Sequence, residues 1–259
     1  MAVARDADAF FASASFPSSP TNVSGLTIAA GSDRYLSVFL NWLRNGTEIS
    51  TAPTWNGVSL THIANYVHAG GPYGSRWGLI APAAGSFNLV VSHTGQTFSA
   101  FLGSYTGVDQ VTPEGTEASD ITFAGTSVSL SPASAVGDLV IGYMNKNGGT
   151  ALGVTGTGAS LRQSGDDADL DGIAGMLEQT AAAGTTTGGF SWTTAASGVM
   201  VSFALKASAG GAGVALGSVL RASASCLAGG LSIGSPSLGP TDYTRFPKPL
   251  IALRARGIQ

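Results

Sequence analysis

Apolar and polar residues alternate with a period of two, and Gly, Pro, Asn or Asp interrupt the alternation at short intervals. This pattern, more than any other feature, limits what the chain can fold into. It is clearest at residues 198–206, where Val199, Val201, Phe203 and Leu205 share one face of a half-buried strand. Residues 35–43 set Leu36, Val38, Leu40 and Trp42 on one side and Tyr35, Phe39 and Leu43 on the other, which predicts a central strand covered on both faces. Phe87, Leu89 and Val91 repeat the one-sided pattern. Residues 54–66 read as a hairpin, because Asn56 and Gly57 supply the two positive-φ positions of a type I′ turn. Further strands are predicted at 77–80, 98–105, 121–130, 139–144, 173–180 and 190–193. About ten short strands without a helix predict an all-β fold, an antiparallel β-sandwich of jelly-roll or Greek-key type spanning residues 21–207 after an N-terminal segment at 1–20.

The pattern stops at Ala207. Residues 208–259 are rich in small residues up to Leu238 and then carry three prolines among isolated large apolar side chains, the composition of an extended arm rather than of a domain with its own core. Charge divides the chain at the same place. From 207 onward Arg221, Arg245, Lys248, Arg254 and Arg256 face Asp242 alone, giving +4 and leaving −7 on the preceding residues within the total of −3. A basic arm on an acidic body predicts a connector between like subunits or to an acidic scaffold. Its expected partner-binding residues are Arg221, Tyr243, Arg245, Phe246, Leu250, Ile251, Arg254 and Arg256.

Composition excludes several classes. An overall pI near 5.5 offers no basic field for nucleic acid. A single cysteine, Cys226, leaves no internal disulfide and fits synthesis in a reducing cytoplasm. The start carries Asp6 and Asp8 before a very short apolar stretch, unlike a secretory signal, and no apolar run is long enough to cross a bilayer as a helix.

Residues with chemical potential each have a plainer reading. Asp167, Asp169, Asp171 and Glu178 match the spacing of a calcium loop, but no flanking helices are expected and residues 173–180 look like a strand, so a solvated acidic hairpin loop is the reading preferred. His62, His68 and His93 lack the close paired spacing of metal ligands. Asp109, Glu114, Glu117 and Asp120 cluster around a turn at 110–113 and read as solvated turn carboxylates rather than a glycosidase pair. Trp42, Trp55, Trp77 and Trp192 could form a sugar-stacking platform, with core packing the favoured alternative. The glycine-rich stretch 148–158 lacks the Lys-Ser/Thr ending of a phosphate loop. No catalytic residue, metal or cofactor is therefore expected.

The segments WNGVSL at 55–60, WGLIAPAAGSF at 77–87, SYTGVDQ at 104–110 and AVGDLV at 135–140 resemble β-sandwich modules of bacteriophage virion structural proteins and bacterial surface proteins, over about residues 20–207. The resemblance implies an architectural, non-enzymatic protein located in a virion and assembled with capsid or tail subunits or with copies of itself. A capsid decoration, head fibre or tail component fits this description. The alternative it implies is an adhesion module that binds a host-surface glycan.

Overall fold

The computed structural model describes residues 1–12, 18–42, 51–69, 71–94, 97–148, 151–166 and 172–209. Among them every regular element is a β-strand, and all pairings between named strands are antiparallel. The first half comprises β1 (Ala4–Ala12), β2 (Thr21–Val23), β3 (Thr27–Ile28), β4 (Tyr35–Trp42), β5 (Thr54–Trp55), β6 (Val58–Ser59), β7 (Thr61–Val67), β8 (Tyr73–Ile80), β9 (Gly85–Ser86), β10 (Leu89–Val91) and β11 (Ser99–Thr106). The second comprises β12 (Ala118–Leu130), β13 (Ala133–Ser134), β14 (Leu139–Asn147), β15 (Gly153–Thr155), β16 (Ser160–Asp166), β17 (Gly172–Thr180), β18 (Gly184–Thr185) and β19 (Gly188–Leu205).

The first half is a jelly roll. One sheet runs β1-β11-β4-β8-β7 and the other β2-β10-β5-β6. Leaving β3, β7 and β9 aside, the first strand pairs with the eighth, the second with the seventh, the third with the sixth and the fourth with the fifth, as in a long hairpin rolled up. Alternation fills the space between the sheets: Leu36, Val38 and Leu40 of β4 meet Trp55, Leu89 and Val91 of the second sheet. Ala4–Ala12, which lies in the segment set apart at 1–20, is the edge strand of the first sheet, in register with β11 from Ala4 opposite Thr106 to Ala12 opposite Ser99.

The second half follows a similar strand order within one six-stranded sheet. Its main sheet runs β12-β19-β14-β17-β16. The later residues of β12 and the earlier residues of β19, joined by β15, lie over the outer face of that sheet, so that Phe190, Trp192 and Val128 cover Met144, Leu177 and Met200. Even the smallest ladders correspond, since β3 pairs β9 in the first half as β13 pairs β18 in the second. The single antiparallel sandwich expected over residues 21–207 is thus divided in two: a jelly roll of two sheets, followed by one six-stranded sheet that folds back over itself in a matching strand order.

The two main sheets pack face to face. Tyr35, Phe39, Phe101 and Tyr105 from the first meet Ile141, Tyr143, Val201 and Phe203 from the second. Phe39 and Tyr143 occupy equivalent places: Leu36 and Leu40 flank the first, and Val140 and Met144 the second, each pair facing away from the shared interface. Their rings stack on each other with centroids 5.0 Å apart and planes 3° from parallel. Contact between equivalent residues is what a two-fold relation between the halves produces.

The hairpin turn stands as expected, with Asn56 at φ 48° and Gly57 at φ 77°. No atom lies within 4 Å of where a side chain on residue 57 would begin, so a substitution there meets backbone strain alone. Gly57→Val should cost ~1–3 kcal/mol, because a β-branched residue is strained at positive φ. Urea unfolding of the variant checks this, and an unchanged midpoint would refute the turn assignment.

Candidate functional site

Strand β8 crosses the face between the two sheets carrying Arg76, whose side chain is 2% exposed. Arginine cannot shed its proton there, so burial demands partners. Nη1 bonds Glu114 Oε2 at 2.6 Å and Nη2 bonds Glu117 Oε2 at 2.5 Å. The guanidinium carbon also lies 3.8 Å from the centre of the Phe203 ring. Tyr35 donates its hydroxyl to Glu114 Oε1 at 2.7 Å, and Tyr66 donates to Glu117 Oε2 at 2.6 Å while accepting from Arg76 Nε. Burial raises the Glu114 carboxyl above its ordinary range, against the pull of Arg76 and Tyr35. Burial also raises the Tyr35 and Tyr66 hydroxyls, so both remain proton donors. Burial of Arg76 works against its charge, but Glu114, Tyr66 and Glu117 outweigh it and the net shift is upward.

A second cluster lies at the equivalent place in the other half. Glu178 of β17 is 3% exposed, accepts from Tyr105 Oη at 2.9 Å and from Arg162 Nε at 2.8 Å, and has Arg5 Nε at 3.8 Å. Asp8 pairs with Arg5 at 3.0 Å and accepts from Gln163. Burial again raises the carboxyl, here against Tyr105, Arg5 and Arg162.

The carboxylates grouped in the sequence around residues 110–113 have divided roles. Asp109 accepts from the backbone N–H groups of Thr112 and Val111, which lower its pKa, and is a turn carboxylate as expected, whereas Asp120 lies within strand β12 opposite Met200 and holds Thr122. Glu117, 30% exposed and bonded to Arg76, departs from that reading, and so does Glu114, whose side chain is 12% exposed and is tied to Arg76 as well. Nothing in the local sequence announces this, because its partner lies thirty-eight residues away in a strand.

Beside Glu114 opens a cleft of about 500 Å³. Ile63, Leu79, Ile80 and Pro113 make its apolar walls, Thr61 and Thr112 contribute hydroxyls, and Tyr35 and Glu114 are its buried polar groups. Gly78 also lines it, at a position where any Cβ would run into the Tyr35 ring. Among the described residues Glu114 accepts one bond on each oxygen, and a carboxylate oxygen can accept two.

The remaining candidates are occupied by packing. Trp42, Trp55, Trp77 and Trp192 are all buried, between 0% and 6% exposed, and present no sugar-stacking platform. His62 lies against Trp77 and contacts Asn65, His68 contacts the Gly71 carbonyl and His93 contacts Thr21. No group of three or more His, Cys, Asp or Glu side chains fit to hold a metal occurs among the described residues. Asp167, Asp169 and Asp171 lie outside those residues, as do Arg221, Cys226, Tyr243, Arg245, Phe246, Leu250, Ile251, Arg254 and Arg256. Glu178, the last position of the calcium-loop pattern, sits in a strand and is engaged by Tyr105 and Arg162. No protein family, no curated protein and no solved structure matches this chain.

Arg76→Ala should destabilise the fold by ~3–5 kcal/mol, since it leaves the Glu114 charge buried without its cation. Denaturant unfolding measures this, and a loss under ~1 kcal/mol would show that solvent already compensates Glu114. Because Glu178 titrates above its unfolded value, the stability linked to its proton is complete below the ordinary carboxylate range and is lost as pH rises through the raised value. The unfolding midpoint should therefore fall across that window, and Glu178→Gln should flatten the fall. An identical pH slope in the variant would assign the effect to another group.

Proposed function

We propose that this chain is a non-enzymatic structural component of a bacteriophage-type virion, a two-part all-β body fixed to neighbouring subunits by its C-terminal arm. The observation that carries the reading is the inward turn of the body's recognition chemistry. All four tryptophans are buried, and Arg76 and Glu178 are engaged by partners within the fold. A surface built this way is suited to holding shape, and jelly rolls recur in viral coats, although fold alone does not fix function. The sugar-binding alternative loses the aromatic platform it needs.

The last described residues supply a firm point of departure for the arm. Ser208 donates its backbone N–H to the Gly107 carbonyl at 2.7 Å and accepts from the Met1 amino group at 2.9 Å. Ala207 donates to Asp138 Oδ1 at 2.8 Å. Beyond this anchorage the sequence turns basic and brings in Phe246, Leu250 and Ile251 as apolar anchors.

Deleting 210–259, which spares the Ser208 anchorage, should leave cooperative unfolding nearly unchanged while abolishing attachment to particles that lack the endogenous copy. Phe246→Ala should weaken attachment at any salt, whereas neutralising Arg254 and Arg256 should matter mainly at low salt. Co-sedimentation reads all three. Full incorporation of the truncated chain would refute the anchoring role.

A further inference from the structure

The similar plan of the two halves supplies a comparison that a single sandwich could not. In both halves the edge strand of the main sheet carries a one-residue bulge at the same place. Ile63 bulges between His62, opposite Trp77, and Ala64, opposite Arg76. Arg162 bulges between Leu161, opposite Leu177, and Gln163, opposite Met176. One residue further on, Gly78 stands opposite Thr61 where Glu178 stands opposite Ser160. Glu114 pairs with Leu205 as Arg5 pairs with Tyr105. The cleft beside Gly78 therefore has a counterpart in the second half, and there Arg162 bonds Glu178 at 2.8 Å.

Charge separates the two places. Around Glu178 the cations Arg5 and Arg162 balance the anions Glu178 and Asp8. Among the described residues one cation, Arg76, serves two carboxylates around Glu114, namely Glu114 and Glu117, so one formal negative charge is left over. The bulged residue that provides a guanidinium in one half is isoleucine in the other. The open cleft thus combines apolar walls with a carboxylate that has spare acceptor capacity, and it lacks the cation its counterpart has.

Taking the arm as a connector, as proposed above, we infer that the cleft lined by Ile63, Ile80, Pro113 and Glu114 receives an arginine and its apolar neighbours from the arm of a second copy of this chain. The arm's sequence LIALRAR at 250–256 sets Leu250, Ile251 and Leu253 directly before Arg254 and Arg256, matching apolar walls that end in a carboxylate. The stretch from Ala209 to Arg254, at up to about 3.4 Å per residue when extended, is long enough to reach an adjacent copy. A bound guanidinium would give Glu114 a second cation beside Arg76, as Glu178 has both Arg162 at 2.8 Å and Arg5 at 3.8 Å.

Ile63→Arg supplies that guanidinium in cis and tests the inference in the full chain. In sedimentation velocity at low salt the unmodified protein should associate in a concentration-dependent and salt-sensitive way. Ile63→Arg should weaken association about tenfold or more, as should joint replacement of Arg254 and Arg256 by Ala, because each removes a charge-assisted contact. Thr61→Arg on the cleft's exposed rim is the second variant, should Ile63→Arg alter unfolding. Association by both cleft variants equal to that of the unmodified chain would overturn the inference, as would a monomeric unmodified chain. Particle attachment separates this failure from that of the virion reading: arm-dependent attachment that ignores both cleft variants sinks the cleft alone, whereas attachment of the truncated chain sinks the connector.

Discussion

The stacking of the two main sheets is the constraint on which the rest of the structure depends. An antiparallel sheet ordinarily has one face on its core and one toward water. Here every residue of β4 is buried, because Leu36, Val38 and Leu40 serve the first jelly roll's own interior while Phe39 meets Tyr143 across the interface. Neither main sheet could expose that second face without presenting a broad aromatic patch to solvent. The apolar content of β4, β11, β14 and β19 on both faces follows from that need, and so does the use of small residues where rings must lie flat. Gly74 is one such place, since any Cβ there would collide with the Phe39 ring.

Apolar faces attract without choosing a register, and the ionic clusters at the margins of the interface supply that choice. Arg76 ties β8 of the first half to the segment that leads into β12 of the second, and Glu178 ties β17 of the second half to β1 of the first. A slipped or rotated packing would leave Arg76 or Glu178 buried and uncompensated, an error costing several kcal/mol. The same residues add little to net stability when correctly paired, because desolvation offsets much of the attraction. Their contribution is to single out one docking of two faces that would otherwise tolerate several.

The strand pattern was largely legible in the sequence. The burial of β4 on both faces and the positive-φ pair at Asn56 and Gly57 could be read from spacing and turn chemistry alone. The similar plan of the two halves could not, because alternation records which face is apolar and not which sheet lies over it. Its traces are short: Ala-Ala-Gly precedes a strand at 83–85 and again at 182–184, with Gly85 at φ 126° and Gly184 at φ 89°. The N-terminal strand escaped because Ala7 and Ala9, two of its three inward residues, are small and Asp6 and Asp8 interrupt them, so that Phe11 alone marks that face. The ionic clusters escaped for a different reason. Glu114 stands in a turn-like context, and its burial follows from Arg76 and Tyr35, which only the folded chain brings to it.

The similar plan of the two halves also shows how a body whose strong interactions are internal can keep one place open. When two similar halves pack through the same face, each position beside the interface occurs twice, and one half can maintain the contact while the other differs. At the bulged edge the second half fills its position with Arg162 over Glu178. In the first half Ile63 and Gly78 stand at the same two positions, and the Tyr35 ring lies across the glycine instead of a carboxylate. The anchoring function that Glu178 performs in one half is thus carried in the other by Tyr35, Glu114 and Arg76, drawn from three separate segments. That arrangement keeps the cross-tie between the halves and leaves a cleft with a carboxylate at its edge, so the residues that hold the body together need not be the ones that line the open cleft.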